Sequence, residues 1–243
     1  MLAPMSSIRS SFIRLAIKGV LFTVFICLPS ICLANANIQR KVLVLYNSET
    51  SQTPMRNIGF SSCQTILNYY GILTDYRDVS QRPLPDPETM SAYRGIITVF
   101  NSTDMQGAIE YLTWQNNQFK ADKKIIVLGN MGGSANRKNN PILKNLIDKS
   151  FRYLGLEYEK DFTANQTLLR YVYKDKERVE FERNYPFFPT IYEKYTPIHN
   201  KVKTYTSIKR IDRKNSLSST VITSPTGGFA KGSFMLWEGS YYL

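Results

Sequence analysis

The sequence predicts an open α/β sandwich, a mainly parallel sheet with helices on both faces. Short apolar runs alternate with helical patterns from residue 41 to residue 156. The runs are almost unbroken Val, Ile and Leu, as suits strands covered on both sides. Beyond Leu156 the texture changes to Tyr- and Lys-rich segments with strand-like alternation. The expected plan is therefore a leader over residues 1–36, an α/β core over 37–156, and a β-rich extension of the same module over 157–243.

The leader is read from its physical pattern. Arg9, Arg14 and Lys18 form a positive start, an apolar run follows from Gly19 to Leu33, and Ala34-Asn35-Ala36 is a small-x-small cleavage pattern. The run is short for a membrane span and contains Pro29, so cleavage leaving no stable span is expected. The protein is then exported, either periplasmic or secreted. Loss of the three leader cations takes the 31 basic residues to 28 against 19 acidic ones, a net +9. Such an excess favours anionic surfaces or polymers, but no nucleic-acid motif is present and no nucleic-acid partner is expected. Cys27 and Cys32 leave with the leader, so Cys63 has no partner for an internal disulfide or a thiolate metal site.

The core opens with a strand at Val42–Tyr46 and the polar loop Asn47-Ser48-Glu49-Thr50-Ser51-Gln52-Thr53. A helix starts at Pro54, carries Cys63, Ile66, Leu67 and Tyr70 on its inner face, and ends at a left-handed Gly71. Cys63 is read as a small buried hydrophobe. Thr74–Val79 is the second strand and Gly95–Phe100 the third. Thr103 and Gln106 suggest a capping box for a helix with Met105, Ala108, Ile109, Leu112 and Phe119 on its buried stripe. Lys124–Leu128 is the fourth strand. Asn140 and Pro141 should start a helix lined by Leu143, Leu146, Ile147 and Leu154 and capped by Gly155. In the extension, strands are expected at Leu168–Tyr173, Val202–Ile208, Ser219–Ser224 and Ser233–Trp237. Asn184-Tyr185-Pro186 and Thr196-Pro197 punctuate them, and Ser224-Pro225-Thr226-Gly227-Gly228-Phe229-Ala230 reads as a turn.

Ligands of open α/β sheets bind beyond the carboxyl ends of the strands. That places the candidate site on Asn47, Ser48, Thr50, Ser51 and Thr53 after the first strand, Asn101 after the third, and Asn130, Met131 and Gly132 after the fourth. No catalytic constellation or metal-ligand cluster emerges, and no cofactor is expected. His199 is the single histidine and stands outside any motif. Glu177, Glu180 and Glu182 interleave with Lys174, Lys176, Arg178 and Arg183 as a solvated face. The basic run Lys201, Lys203, Lys209, Arg210, Arg213 and Lys214 is read as solvated too, and as the best contact for an anionic polymer.

Two local resemblances follow from these residues. The loop from Asn47 to Thr53 resembles the phosphate loop of flavodoxins, which implies FMN as an alternative ligand. Ser51 stands there where a small Ala or Gly is usual, and Glu49 adds negative charge. Gly129-Asn130-Met131-Gly132-Gly133 resembles the nucleophile elbow of class I glutamine amidotransferases, with Met131 at the nucleophile position. A thioether cannot attack a carbonyl, so that chemistry would be lost.

Taken in order, Val42–Glu49, Tyr93–Ile97, Leu128–Gly133, Thr220–Ala230 and Gly232–Trp237 resemble the flavodoxin-like or amidotransferase-like module of exported Pel-type exopolysaccharide proteins. In that family the module precedes a metal-dependent polysaccharide deacetylase barrel, whose Asp and His ligands this sequence does not contain. The resemblance implies a non-catalytic module serving exopolysaccharide modification or envelope glycan binding, with a glycan or a carbohydrate-active domain as partner. The chain is then expected to be one piece of a longer architecture. The alternatives are an FMN-binding redox protein and a serine hydrolase using Ser48 or Ser224 with His199.

Overall fold

The computed structural model describes residues 39–49, 63–100, 105–133, 139–174 and 191–231, all within one compact unit. Four strands open it: β1 (Lys41–Tyr46), β2 (Leu73–Asp78), β3 (Tyr93–Phe100) and β4 (Lys124–Gly129). They lie in the order β2-β1-β3-β4 and every pairing among them is parallel. Strand alternation splits the side chains of β1 and β3 between two cores. Val42, Val44, Ile97 and Val99 pack with Cys63, Leu67 and Ile72 on one face. Leu43, Leu45, Ile96 and Phe100 join the larger core on the other. Both faces are therefore covered, which is why these strands read as continuous apolar runs.

The helices are α1 (Gln64–Tyr69), α2 (Pro87–Ser91), α3 (Ala108–Lys120) and α4 (Pro141–Tyr153). Gly71 ends α1 at φ 69°, the left-handed conformation its position predicted. No residue of α1 is fully buried, and Cys63 is half-buried at its start. Asn140 caps α4, its side chain accepting from the amides of Ile142 (3.0 Å) and Leu143 (3.1 Å), with Pro141 following.

The expected capping box of α3 is corrected: its N-cap is Gly107 at φ 71°, without a side-chain cap, and Thr103 lies outside the described residues. Ile109 leaves the predicted stripe, 41% exposed, while Tyr111 takes its place against Phe100. α3 and α4 meet along a polar seam. The Ser150 hydroxyl donates to Gln115 Oε1 (3.2 Å), and Asn116 donates to the carbonyls of Leu112 and Leu146 (2.8 and 3.1 Å).

The second part of the chain widens the sheet. β10 (Gly227–Lys231), β9 (Ser218–Ser224), β8 (Lys203–Arg210) and β6 (Leu169–Lys174) continue it beyond β4 in that order. β10 runs parallel to β4, completing five parallel neighbours in flavodoxin-like order, and the later strands are antiparallel. The segment read as a turn is thus mostly a central strand, and only Pro225-Thr226 turns the chain. Gly227 makes this possible: a Cβ there would lie 1.8 Å from the Ile125 carbonyl oxygen.

β5 (Leu156–Thr163) and β7 (Tyr192–Pro197) form a separate antiparallel pair. Neither was expected, and Thr196-Pro197 closes a strand instead of punctuating a loop. Ser218 ties β7 to β9 by accepting from the Tyr195 amide (3.0 Å) and donating to the Glu193 carbonyl. The expected strand at Ser233–Trp237 and the charged face at 174–183 fall, beyond Lys174, outside the described residues.

Candidate functional site

Three groups of side chains line the carboxyl edge of the sheet. At the β1–β2 end, Asn47 is buried and its side-chain oxygen accepts from the Glu49 amide (3.0 Å). The Ser48 amide donates to Asp78 Oδ1 (3.2 Å), and the Ser48 and Ser80 hydroxyls lie 3.1 Å apart. Thr50, Ser51 and Thr53 lie outside the described residues, as does Asn101.

Beside them, the loop after β2 and the start of α3 enclose a cleft of about 100 Å³. Val79, Leu84, Met105 and Tyr111 form its apolar floor, with Arg82 and Glu110 among its polar lining.

The third group gathers where β4 and β10 end. Gly129 (φ 95°) and Gly132 (φ 86°) turn the chain after β4, and a Cβ on Gly129 would meet the Phe100 carbonyl oxygen at 2.4 Å. Met131 is 2% exposed, its side chain sunk among core residues. Residues 131–133 are not helical and the next described helix starts at Pro141, so the described residues do not form the tight strand–turn–helix of a nucleophile elbow.

Lys231, at the end of β10, pairs with Glu193 and lies 3.3 Å from the Tyr195 hydroxyl and 3.5 Å from Asn130 Oδ1. Glu193 also accepts from the hydroxyls of Tyr195 (2.6 Å) and Tyr158 (3.0 Å). Burial pushes the Glu193 carboxyl up, but Lys231 and the two tyrosines outweigh it and hold it below its ordinary value. Phe151 and Phe229 pack beneath these groups. The free space is about 10 Å³, room for one water.

The predicted residues are thus divided. Asn130, Met131 and Gly132 stand together at the β4 end, and Asn47 and Ser48 stand at the β1 end. The described part of the β1 loop is closed by protein partners, and the β4 end is filled by an ion pair that the sequence did not suggest. The signal for Lys231 was a lone cation ending the small-apolar run Gly227–Ala230, and for Asp78 the Asp-x-Ser that ends a strand.

His199 lies at the opposite edge, beside Gly155, where the Ile198 amide donates to the Gly155 carbonyl (2.9 Å). Ser48 is therefore not brought to it, and the Ser224 hydroxyl is 3.0 Å from that of Thr226. Burial raises the Cys63 thiol to about 11, which leaves it protonated and a poor nucleophile at neutral pH. Arg210 departs from the solvated run: it is 8% exposed, forks onto Asp212 and pairs with Asp161 at 2.6 Å. Among the described residues no three His, Cys, Asp or Glu side chains converge as metal ligands, and no helix is long and apolar enough to cross a membrane.

The strand order and the parallel pairing of its first five neighbours define an α/β protein of flavodoxin-like or class I amidotransferase-like architecture. No family model matches the sequence, and no curated protein is significantly similar to it. Among solved structures, a ThuA-like protein of Bacteroides uniformis ATCC 8492 is similar at 13% identity and TM-score 0.45, over 86% of this chain and 93% of that one. A glutamine amidotransferase of Methylobacillus flagellatus is similar at 10% identity and TM-score 0.47, over 85% and 76%. Likeness at this level carries nothing about activity.

Proposed function

We propose that this chain is an exported, non-catalytic α/β module that binds an envelope glycan or holds a carbohydrate-active partner in bacterial exopolysaccharide modification. One observation carries the non-catalytic part. Where an amidotransferase presents its nucleophile, Met131 is buried, and Lys231, which lies beside Asn130, is engaged by Glu193. A thioether has no proton to lose, and a lysine spent on a buried carboxylate is neither a free base nor a free nucleophile.

The leader pattern of residues 1–36 and the net +9 of the remainder support export and contact with an anionic polymer. The cleft of about 100 Å³ between the loop after β2 and α3, lined by Val79, Leu84, Met105 and Tyr111 with Arg82 and Glu110, supports a place for a small polar ligand such as a sugar. The ordered resemblance of five segments to Pel-type modules supports the exopolysaccharide setting.

The test has two arms on the purified chain. Affinity electrophoresis through gels of bacterial exopolysaccharide should show retardation. Assays with glutamine, simple esters and acetylated sugars should show no turnover above buffer. Turnover that survives repurification would overturn the non-catalytic reading, and unretarded migration through every exopolysaccharide gel would overturn the glycan reading.

A further inference from the structure

The sheet ends at β2, and the outer edge of that strand pairs with no other strand among the described residues. The amides of Leu73 and Val79 donate inward, to the Arg40 and Tyr46 carbonyls (2.7 and 2.9 Å). Alternation along a parallel strand then turns the peptide groups of Thr74, Tyr76 and Asp78 outward. At the other end of the sheet, β6 is blunted by a register shift between Tyr171 and Tyr173 and by Lys174. β2 has no such protection. It reads Leu-Thr-Asp-Tyr-Arg-Asp, without lysine or proline, and pairs with β1 in unbroken register.

The charges on this strand complement themselves. A second copy running antiparallel would bond through the outward-facing residues, which leaves a few registers to choose from. With Asp75 on the two-fold axis two carboxylates face each other, and with Arg77 on the axis two guanidinium groups do. With Tyr76 on the axis, Asp75 of each copy faces Arg77 of the other, and Leu73 faces Val79 on the same side of the sheet. The Asp75 side chain is 42% exposed. Its Oδ2 accepts from Tyr93 (3.0 Å) and Lys41 (3.4 Å), while Oδ1 receives no donor among the described residues. Arg77 is half-buried, and its side chain makes no hydrogen bond or ion pair among the described residues. Leu73 is 56% exposed.

We propose that the β2 edge is the interface of a two-fold symmetric dimer of this chain, in the register centred on Tyr76. The Tyr76 peptide groups bond each other across the axis, and each Asp78 amide reaches the Thr74 carbonyl opposite. The Asp78 carbonyl stays with the turn that follows, where it accepts the Gln81 and Arg82 amides. The axis stands perpendicular to the sheet, so two sheets become one and like faces stay together. α1 packs on β2, so the two α1 helices come side by side, each with Ile66, Tyr69 and Tyr70 exposed. The contact closes after two copies and leaves neither β2 edge open. This inference is independent of the glycan reading, since it rests on the strand edge and its charges.

Sedimentation equilibrium of the mature chain, from micromolar to submillimolar concentration, should show a monomer–dimer equilibrium. Arg77→Asp sets carboxylates against carboxylates in this register, and Asp75→Arg sets guanidinium groups against each other. Each variant, shown to be folded by circular dichroism, should self-associate at least about tenfold more weakly than wild type. Mixed in equal amounts, the two variants regain both opposite-charge pairs and should form a heterodimer. Tyr76→Cys places one thiol on each side of the axis, at the roughly 5.5 Å Cα separation of a bonded antiparallel pair. Under mild oxidation it should give a disulfide-linked dimer that wild type, whose sole mature cysteine is Cys63, does not. A wild-type chain that stays monomeric throughout would overturn the proposal. A dimer that both charge variants leave intact would overturn it too, as would Tyr76→Cys chains that cross-link no faster than wild type.

Discussion

Strands β1, β3 and β4 bury Leu43, Leu45, Ile96, Phe100, Ile125 and Val127 with Thr98 among them, whereas β8, β9 and β10 bury Ser207, Arg210, Ser218, Thr220 and Lys231 beside Ile208, Ile222 and Phe229. One sheet is therefore held in two ways. In the parallel part, each apolar side chain contributes by leaving water, and any neighbour of the right size will serve. In the strands beyond β4, buried groups such as Arg210, Ser218 and Lys231 need particular partners, because an unpaired charge or donor costs more than a satisfied one contributes. Several of those partners are remote in sequence: Lys231 meets Glu193, and Arg210 meets Asp161 besides its near neighbour Asp212. Tolerance to substitution should follow this division.

The largest effect is expected at the ion pair. Lys231→Met strands a buried carboxylate and should cost about 3–5 kcal/mol, read from urea unfolding. Adding Glu193→Leu should recover most of that loss, because an apolar pair needs no charge balance. If the double variant were as unstable as the single, the polar half would not be partner-dependent. Leu112→Ala, in the apolar half, should cost about 3 kcal/mol through transfer and cavity terms, and no second-site change of charge should repair it.

A smaller effect separates the halves by pH. Glu193 titrates below its ordinary value of 4.5 in the folded chain, so its stabilisation is complete above that pH and is lost as pH falls through the folded value. Thermal unfolding between pH 7 and pH 3 should show this loss, and the Lys231→Met, Glu193→Leu chain should lose less over the same range.

The same division explains what could be read from residue order alone. β1 to β4 and α4 were legible because their signals are local: Val-Leu-Val-Leu at 42–45, Asn140-Pro141 at a helix start, Gly71 and Gly155 at helix ends. β5 and β7 were missed because alternation there involves Tyr, Glu and Lys, whose burial depends on hydrogen-bond partners that no periodicity reveals. β10 was taken for a turn because Pro225-Thr226-Gly227-Gly228 has turn chemistry. Its glycines in fact serve close strand approach against β4. In the candidate site, Asn130 and Met131 were proposed from their place after a strand. Lys231 carried only the faint signal of a cation closing a small-apolar run, and Glu193 and Tyr195 carried none, since only the tertiary fold brings them to that place.

The position of β10 has a consequence for how the molecule comes into being. It is made after all nine other described strands, yet it lies in the middle of the sheet, between β4 and β9. Until residues 227–231 have emerged from the ribosome, β4 presents a bare hydrogen-bonding edge of Ile, Val and Leu, the kind of surface that captures stray strands. The sheet is closed from its centre, by a keystone delivered late, and a nascent chain waiting for it has reason to need shelter.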